Sequence, residues 1–478
     1  MHRWSRGRHA HAAEREVAVQ GVLKGAPAAE AEVAALREER ALHRVPPDRD
    51  IGDHVTAATL RTLHPHRRHI RAILCAATVL LVAPGPAADA TSRQGQVWPG
   101  VDVLIARAGD GLAGKRVGVI THRAAAGVGG WPTATLLAVH SPLRVVALFV
   151  PEHGFAGDLP AGVMVPHTQG EVPIYSLYGL DRSPTAQMLA DLDVLVFDLQ
   201  DVGARAYTYI STMALAMQAA ALHNKLFVVL DRPNPLGGER VDGPVLDPAF
   251  ASFIGIYPLP AVHGMTIGEL ALLFNQEFGI NARLAVVPMK GWEGRMQWED
   301  TGLLWFRPSP NIPSPIAAQL HAATGMLEGT NLSVGAGSGV PFETVTAPWV
   351  HADRLAARLN AQRLPGVRFE AIWVGPRGQR RGGVRLVLTD TRQFRPATTA
   401  AHILTAVQGL YPDKLHFSAN WGRYTFDLVW GTDTVRKAIR RGEAADRIVA
   451  GWADGLQRFQ AMRQRYLIYP RGTPTITR

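Results

Sequence analysis

Between residues 115 and 231 the chain alternates short apolar, β-branched runs with longer stretches of helical periodicity. "KRVGVIT" (115–121), "RVVALFV" (144–150), "DVLVFDL" (193–199) and "LFVVLD" (226–231) predict strands. "ATLLAVH" (134–140), "PTAQMLADL" (184–192) and "STMALAMQAAALHN" (211–224) predict helices. Ser183 caps the second, with Pro184 at its first position, and Asn224 closes the third. The strands are nearly continuous apolar runs rather than alternating ones. Strands buried on both faces have that texture, so the pattern predicts an α/β fold: a Rossmann-like parallel sheet with helices on both faces.

Further along, "MTIGELALLFNQEF" (265–278) predicts a helix opened by a T-x-x-E capping box, Thr266 with Glu269. That gives Glu269 a structural task and discounts it as a catalytic acid. From about Thr330 the texture changes to glycine-rich and irregular. Helices at 352–360, 399–412 and 448–469 then surround a strand at 382–390. The division predicted is a first domain over 97–333 and a second, smaller α/β domain over 334–478. Three tryptophans, Trp292, Trp298 and Trp305, are expected in the core, with stacking on a sugar as the alternative.

Ahead of the sheet, Arg67, Arg68 and Arg71 flank an apolar run from Ile73 to Val82, and small residues lead to Ala88-Asp89-Ala90. This is the order of an export signal, placed here at 61–90 with cleavage after Ala90. A periplasmic or secreted product follows, with no stable membrane insertion after cleavage. Residues 1–60 carry no sustained apolar period and are read as a disordered or mis-annotated extension.

Charge changes this picture little. Net charge is +10, yet the arginines are scattered and no basic stripe is interleaved with aromatics, so nucleic acid is not expected as a partner. One cysteine, Cys75, rules out a disulfide within the chain and a cysteine-based zinc site. No G-x-G-x-x-G, Walker A, G-x-S-x-G or H-E-x-x-H occurs, and no cofactor or metal is expected. His122, His153, Asp198 and Asp231 remain a conceivable metal set. Oligomeric state is not legible.

The candidate chemistry lies where ligands bind in such sheets, beyond the carboxyl ends of the strands. The first strand ends at Thr121-His122. The second ends in Pro151-Glu152-His153-Gly154. The third ends in Asp198-Leu199-Gln200-Asp201 and continues to Arg205. The fourth ends in Asp231-Arg232-Pro233-Asn234. Glu152 follows an apolar wall, which raises a carboxyl's pKa and suits a general acid. His153 orients it, binds substrate, or bonds to backbone. Asp198 and Asp201 position hydroxyls or serve as partner carboxyls, with N-capping of the next helix as the plainer role for Asp201. Arg205 and Arg232 are candidates to clamp a carboxylate, or to pair with neighbouring aspartates. "SPNIPSP" (309–315) reads as a rigid polyproline-like segment offering Ser309 and Asn311. "LEGTN" (327–331) adds Glu328 after another apolar pair.

Taken in order, "PEHGF", "VPIYSLYG", "DVLVFDLQDVGARAYTYISTM", "LDRPNPLGG", "HGMTIGELA", "PSPNIP" and "LEGTN" make the chain resemble the exo-β-N-acetylmuramidase family. The resemblance runs from about Val101 to the C-terminus. It implies a Rossmann-like domain joined to a smaller C-terminal one, with an active-site cleft between them. The implied activity is release of terminal N-acetylmuramic acid from peptidoglycan fragments, so a peptidoglycan-derived saccharide is the expected partner. It also implies that Glu152 leads the catalysis; from the strand ends and "LEGTN", Asp198, Asp201 or Glu328 is expected as second carboxyl. Substrate contacts are expected from His122, His153, Gln200, Arg205, Tyr207, Asp231, Arg232, Asn234, His263, Ser309, Asn311 and Asn331.

The chain departs from the family pattern at Ala156 and Ala336, where arginines are usual, at Val334 in place of a glutamate, and around His321 to Ala323, where Tyr-Pro-Gly is usual. These departures imply altered substrate preference or reduced activity. Two other readings are set against the glycosidase: a catalytically weakened cell-wall sugar-binding protein, and a metal-dependent hydrolase of another class.

Overall fold

The computed structural model describes residues 96–376, 380–420 and 422–471. The expected extension, the export signal and Cys75 lie outside the described residues. The first sheet is built from β1 (Arg116–Thr121), β2 (Arg144–Val150), β3 (Thr168–Gln169), β4 (Pro173–Ser176), β5 (Val194–Asp198), β6 (Leu226–Leu230) and, after a separate hairpin of β7 (Asp242–Val245) and β8 (Pro260–Val262), β9 (Arg283–Val287). Its order is β3-β4-β2-β1-β5-β6-β9. Every pairing is parallel except β3 with β4.

The apolar runs explain this order. β5 is buried throughout, and β1 and β6 expose little beyond their first residue, as central strands covered on both faces must. β9, at the edge, begins with exposed Arg283 and is buried only at its last residue. From β1 the chain winds outward through β2 to β4, and then outward the other way through β5, β6 and β9. The winding reverses between β1 and β5, and such a reversal opens a crevice beyond the strand ends. The doubly wound α/β architecture is the one the apolar pattern predicts.

Two local expectations change. The helix expected over 184–192 covers only Ala186–Leu189; Thr185 caps it, accepting from the Met188 N–H at 3.3 Å. Ser183 cannot cap because its hydroxyl donates to the Leu215 carbonyl on the neighbouring helix, at 3.1 Å. The segment 309–315 is not an extended polyproline rod. The Ile312 N–H donates to the Ser309 carbonyl in a turn, and Ser314 then caps the helix Pro315–Thr324, whose first position suits proline. The Thr266–Glu269 capping box is present as predicted.

The second core gathers around an antiparallel sheet, β10 (Thr344–Ala347), β12 (Arg381–Leu388) and β11 (Val367–Val374), in that order. Helices Ala352–Asn360 and Pro396–Leu410 cover it. This core also takes in Leu320, Ala323, Met326 and Leu327, so the polypeptide enters it before residue 334. The helix expected over 448–469 is broken into Ala445–Ala450 and Ala453–Arg463. The break serves two cores: Trp452 packs into the second and Phe459 into the first. The chain end then clasps the first sheet. Arg463 donates to the carbonyls of Glu239, His263 and Gly264, and Arg471 pairs with Glu269 at 2.7 Å.

Candidate active site

The run Val150-Pro151-Glu152-His153-Gly154 leaves β2 through a strained turn. His153 has φ 72° and Gly154 φ 71°. A left-handed conformation at a non-glycine residue costs about 1–2 kcal/mol, and such outliers gather at functional sites. His153 is held there by its Nδ1–H, which donates to the Leu159 carbonyl at 2.7 Å. The loop so folded returns over Glu152. Its Gly162 N–H donates to Glu152 Oε1 at 2.9 Å, while the Thr208 hydroxyl donates to Oε2 at 2.8 Å. Thr208 precedes the helix Tyr209–Leu222 and makes no capping bond to it. The carboxyl thus sits at the positive end of a helix dipole. Glu152 is buried, but its wall is polar rather than apolar, which corrects the expected cause of its chemistry.

Around it stand three tyrosines. The Tyr178 hydroxyl is within hydrogen-bonding reach of Glu152, and burial, with the Glu152 charge adding, pushes its pKa up to about 12. Tyr209 donates to the Pro308 carbonyl at 2.7 Å, and its ring meets Tyr207 edge-on at 4.7 Å. Tyr207 lies beside Ser309 and within the field of both Asp201 and Glu152. Its hydroxyl is buried without a partner of normal geometry, as are Asp201 Oδ1, His263 Nε2 and His321 Nδ1. A buried polar group left unpaired costs about 1–3 kcal/mol, so a cluster of four marks a place for ligand or water.

Glu328 enters from the turn after the helix Pro315–Thr324. Gly329 behind it has φ 79°, and a Cβ there would meet the Phe426 nitrogen at 2.4 Å. Only glycine lets this turn press against Phe426 and hold Glu328 forward. Glu328 is exposed by surface area yet ringed by protein, as a residue on a concave wall is. Burial by those surroundings raises its carboxyl above the ordinary value, and the Glu152 charge adds to the effect. Beside it a cavity of about 40 Å³ is lined by Glu328, His321 and Met326, with Ala204 and Val429 opposite; that is room for water, not for a sugar ring. A larger groove of about 300 Å³, at Trp98, Arg107 and Met289, is lined by none of the candidate residues.

The structure therefore gathers Glu152, His153, Asp201, Tyr207, His263, Ser309 and Glu328. Asn311 joins them at one remove: its Oδ1 accepts from the Gly337 N–H at 2.8 Å and ties down the glycine-rich loop. Asp201 does not cap the helix; its Oδ2 accepts from the Gly203 N–H at 2.7 Å, leaving Oδ1 free.

The other candidates are engaged in holding the crevice walls. Asp198 accepts from Thr133 at 2.5 Å and forms a two-pronged pair with Arg232, so neither is free to act as second carboxyl or clamp. Arg205 is fully enclosed and donates to the carbonyls of Pro244, Leu259 and Val429, which corrects its role as a clamp. Asp231 accepts from Thr266, Gly268, the Arg232 N–H and Tyr469. Asn234 shapes its own turn, bonding Leu236 and Met265. Asn331 braces the second domain through Lys414 and His416. Gln200 is buried, its amide nitrogen bonded to the Asp201 and Pro233 carbonyls. His122 Nε2 accepts from the Gln200 N–H at 3.0 Å, and burial holds its pKa down to about 3, so it is a neutral strut between β1 and β5. His122, His153, Asp198 and Asp231 do not gather as a ligand set; among the described residues no group of three or more His, Cys, Asp or Glu is arranged to hold a metal ion. Trp292 and Trp298 are core residues, and Trp305 donates to the Ile312 carbonyl.

Thr208, Tyr178, His321 and Arg182 escaped the sequence reading. Thr208 starts a helix, Tyr178 lies in a loop and His321 in the last turn of the helix Pro315–Thr324, and only the fold brings them to Glu152 or Asp201. "VPIYSLYG" did hold Tyr178 within a recognised motif.

Comparison with known proteins identifies the family. Residues 117–316 match the family described as exo-beta-N-acetylmuramidase NamZ, N-terminal, and residues 319–469 match its C-terminal counterpart. The peptidoglycan beta-N-acetylmuramidase NamZ of Bacillus subtilis (strain 168) is 42% identical over 387 residues, spanning 79% of this chain and 93% of that protein. Two DUF1343 family proteins of Bacteroides fragilis share the fold in crystal structures. One has a TM-score of 0.71 at 36% identity, covering 78% of this chain and 99% of that one. The other has a TM-score of 0.60 at 30% identity, covering 79% and 100%.

Proposed function

The chain belongs to the NamZ family of exo-β-N-acetylmuramidases and is a glycosidase that releases terminal N-acetylmuramic acid from peptidoglycan fragments; we propose that Glu152 and Glu328 are the carboxyls that do this work. The observation that carries the pairing is electrostatic. Glu328 is the carboxyl in the cleft whose charged form is disfavoured both by its surroundings and by Glu152. Glycoside hydrolysis needs two carboxyls in unlike states, one holding a proton for the leaving oxygen and one charged.

In the reading that follows from the sequence, Glu152 donates the proton and Glu328 serves as nucleophile or base. One observation favours the reverse. Both Glu152 oxygens already accept protein donors, the Gly162 N–H and the Thr208 hydroxyl, so neither is placed to hand a proton to a substrate. Asp201 Oδ1 and the Tyr207 hydroxyl, neither of which has a protein partner of normal geometry, then hold the sugar. His153 keeps its loop closed over the carboxylate.

Leaving-group dependence tests both. With an aryl N-acetylmuramide bearing a good leaving group, removing the proton donor matters little, whereas removing the charged partner still abolishes turnover. Glu152→Gln and Glu328→Gln are each expected to lose about 10²–10⁴-fold in kcat on a natural disaccharide. The variant that recovers on the activated substrate identifies the donor. Wild-type rates in either variant on the disaccharide would remove that residue from the reaction.

Export completes the proposal. Its support is the basic, apolar and small-residue order over 61–90 and a substrate that lies outside the cytoplasm. N-terminal sequencing of the protein recovered from the periplasm or medium should begin just after Ala90. A product retained in the cytoplasm with Met1 intact would contradict it.

A further inference from the structure

Arg182 lies in the loop after β4 with its guanidinium carbon 3.9 Å from the ring centre of Tyr178 and 4.5 Å from that of Phe253. Contact with two rings tilted 53° to each other holds the guanidinium in place without neutralising it. Its neighbours among the enclosed arginines all have polar partners in normal geometry: Arg232 has Asp198, Arg205 and Arg463 have carbonyls, and Arg240 has Gln319. Arg182 has no carboxylate partner among the described residues, and its Nη1 is enclosed with no acceptor. The adjacent Asp181 is turned to His167 instead, at 3.5 Å. Tyr178 joins this cation to the catalytic cluster: its hydroxyl is within reach of both Glu152 and the Arg182 guanidinium, and its ring face meets the same guanidinium.

N-acetylmuramic acid differs from N-acetylglucosamine by a 3-O-lactyl arm ending in a carboxylate. We propose that Arg182 receives this lactyl carboxylate, and so makes the enzyme prefer a terminal muramic acid with a free lactyl group over one whose lactyl group is capped as an amide. The proposal rests on the muramidase reading of the same site. A planar guanidinium already held against two rings suits two parallel bonds to a carboxylate, and an amide cannot supply the second acceptor or the charge.

The test pairs an enzyme change with a substrate change. Arg182→Gln and Arg182→Lys would be assayed with p-nitrophenyl N-acetylmuramide and with the same glycoside carrying its lactyl carboxylate as a methylamide. Wild type should prefer the free acid by about ten- to a hundredfold in kcat/KM, mostly through KM. Arg182→Gln should lose that factor on the free acid and change less than about twofold on the amide. Arg182→Lys should fall between, and it reads the same ratio if the glutamine variant fails to fold. Equal losses on both substrates, or no loss on either, would overturn the assignment. Wild type that hydrolyses both glycosides without preference would refute Arg182 alone; wild type that hydrolyses neither would take the muramidase reading with it.

Discussion

Two polar constellations occupy the same rim of the first sheet, and they are built on opposite principles. In one, Asp198, Arg232, Thr133 and the Ala126 carbonyl bond one another in full view of the β1 and β5 ends. In the other, Glu152 is held by two donors while Asp201, Tyr207, His263 and His321 each keep a buried atom without a partner. Both look alike in sequence, as acids, arginines and histidines at strand ends. What separates them is saturation. A closed network has no bond left for a substrate and serves to fix the crevice, whereas unfilled capacity beside a strained turn is what a ligand completes.

The largest effect expected from this contrast is a reversal of phenotypes. Arg232→Met leaves Asp198 buried and unpaired at zero exposure, and breaking such a pair costs about 3–5 kcal/mol of stability. Chemical denaturation should show that loss. Glu152→Gln, whose amide oxygen can accept the Gly162 N–H while its NH2 donates to a rotated Thr208 hydroxyl, should unfold within about 0.5 kcal/mol of wild type while losing nearly all turnover. Should Glu152→Gln prove the less stable and Arg232→Met the less active, the two constellations would have been assigned the wrong way round.

Much of the fold was legible, because buried parallel strands leave an apolar signature that does not depend on distant partners. β1, β2, β5 and β6 fall where the runs "RVGVIT", "RVVALFV", "VLVFD" and "LFVVL" place them. The site was legible only in outline. Strand-end position pointed to Glu152 and Asp201, the resemblance to Glu152, and the "LEGTN" motif to Glu328, and the structure sets the three in one electrostatic neighbourhood. The same logic pointed equally to Asp198, Asp231, Arg205 and Arg232, because a sequence lists donors and acceptors without saying which are already paired. Arg205 illustrates the limit. Its three carbonyl partners, Pro244, Leu259 and Val429, lie 39, 54 and 224 residues away. No local pattern carries that information. The final helix was misjudged for a related reason: its break lets Trp452 and Phe459 face different cores, a demand set by tertiary packing.

A gentler effect sharpens the same comparison through pH, since each constellation contains a buried neutral histidine. Burial holds His122, on the saturated side, down to about 3, and His321, on the open side, down to about 4. Their unfolded counterparts titrate near 6.5. Between those values and 6.5 the unfolded chain binds more protons than the folded one, so stability must fall as pH falls through that window and be flat above it with respect to these groups. Each histidine contributes up to about 1.4 kcal/mol per pH unit. Replacing His321 by Gln should flatten the acid limb by about one proton's worth. His122→Gln should flatten it similarly but start from a lower plateau, because its Nε2 accepts the Gln200 N–H that the new side chain must recover. Denaturation midpoints measured from pH 7 to pH 4.5 give both slopes. Because half-buried Asp102 and buried Asp231, raised to about 6 and about 7, tilt the wild-type curve the other way, the reading is the difference between variant and wild type; slopes unchanged in both variants would mean that neither imidazole is held neutral, and the distinction between a strut and an open site would have to rest on their hydrogen bonds alone.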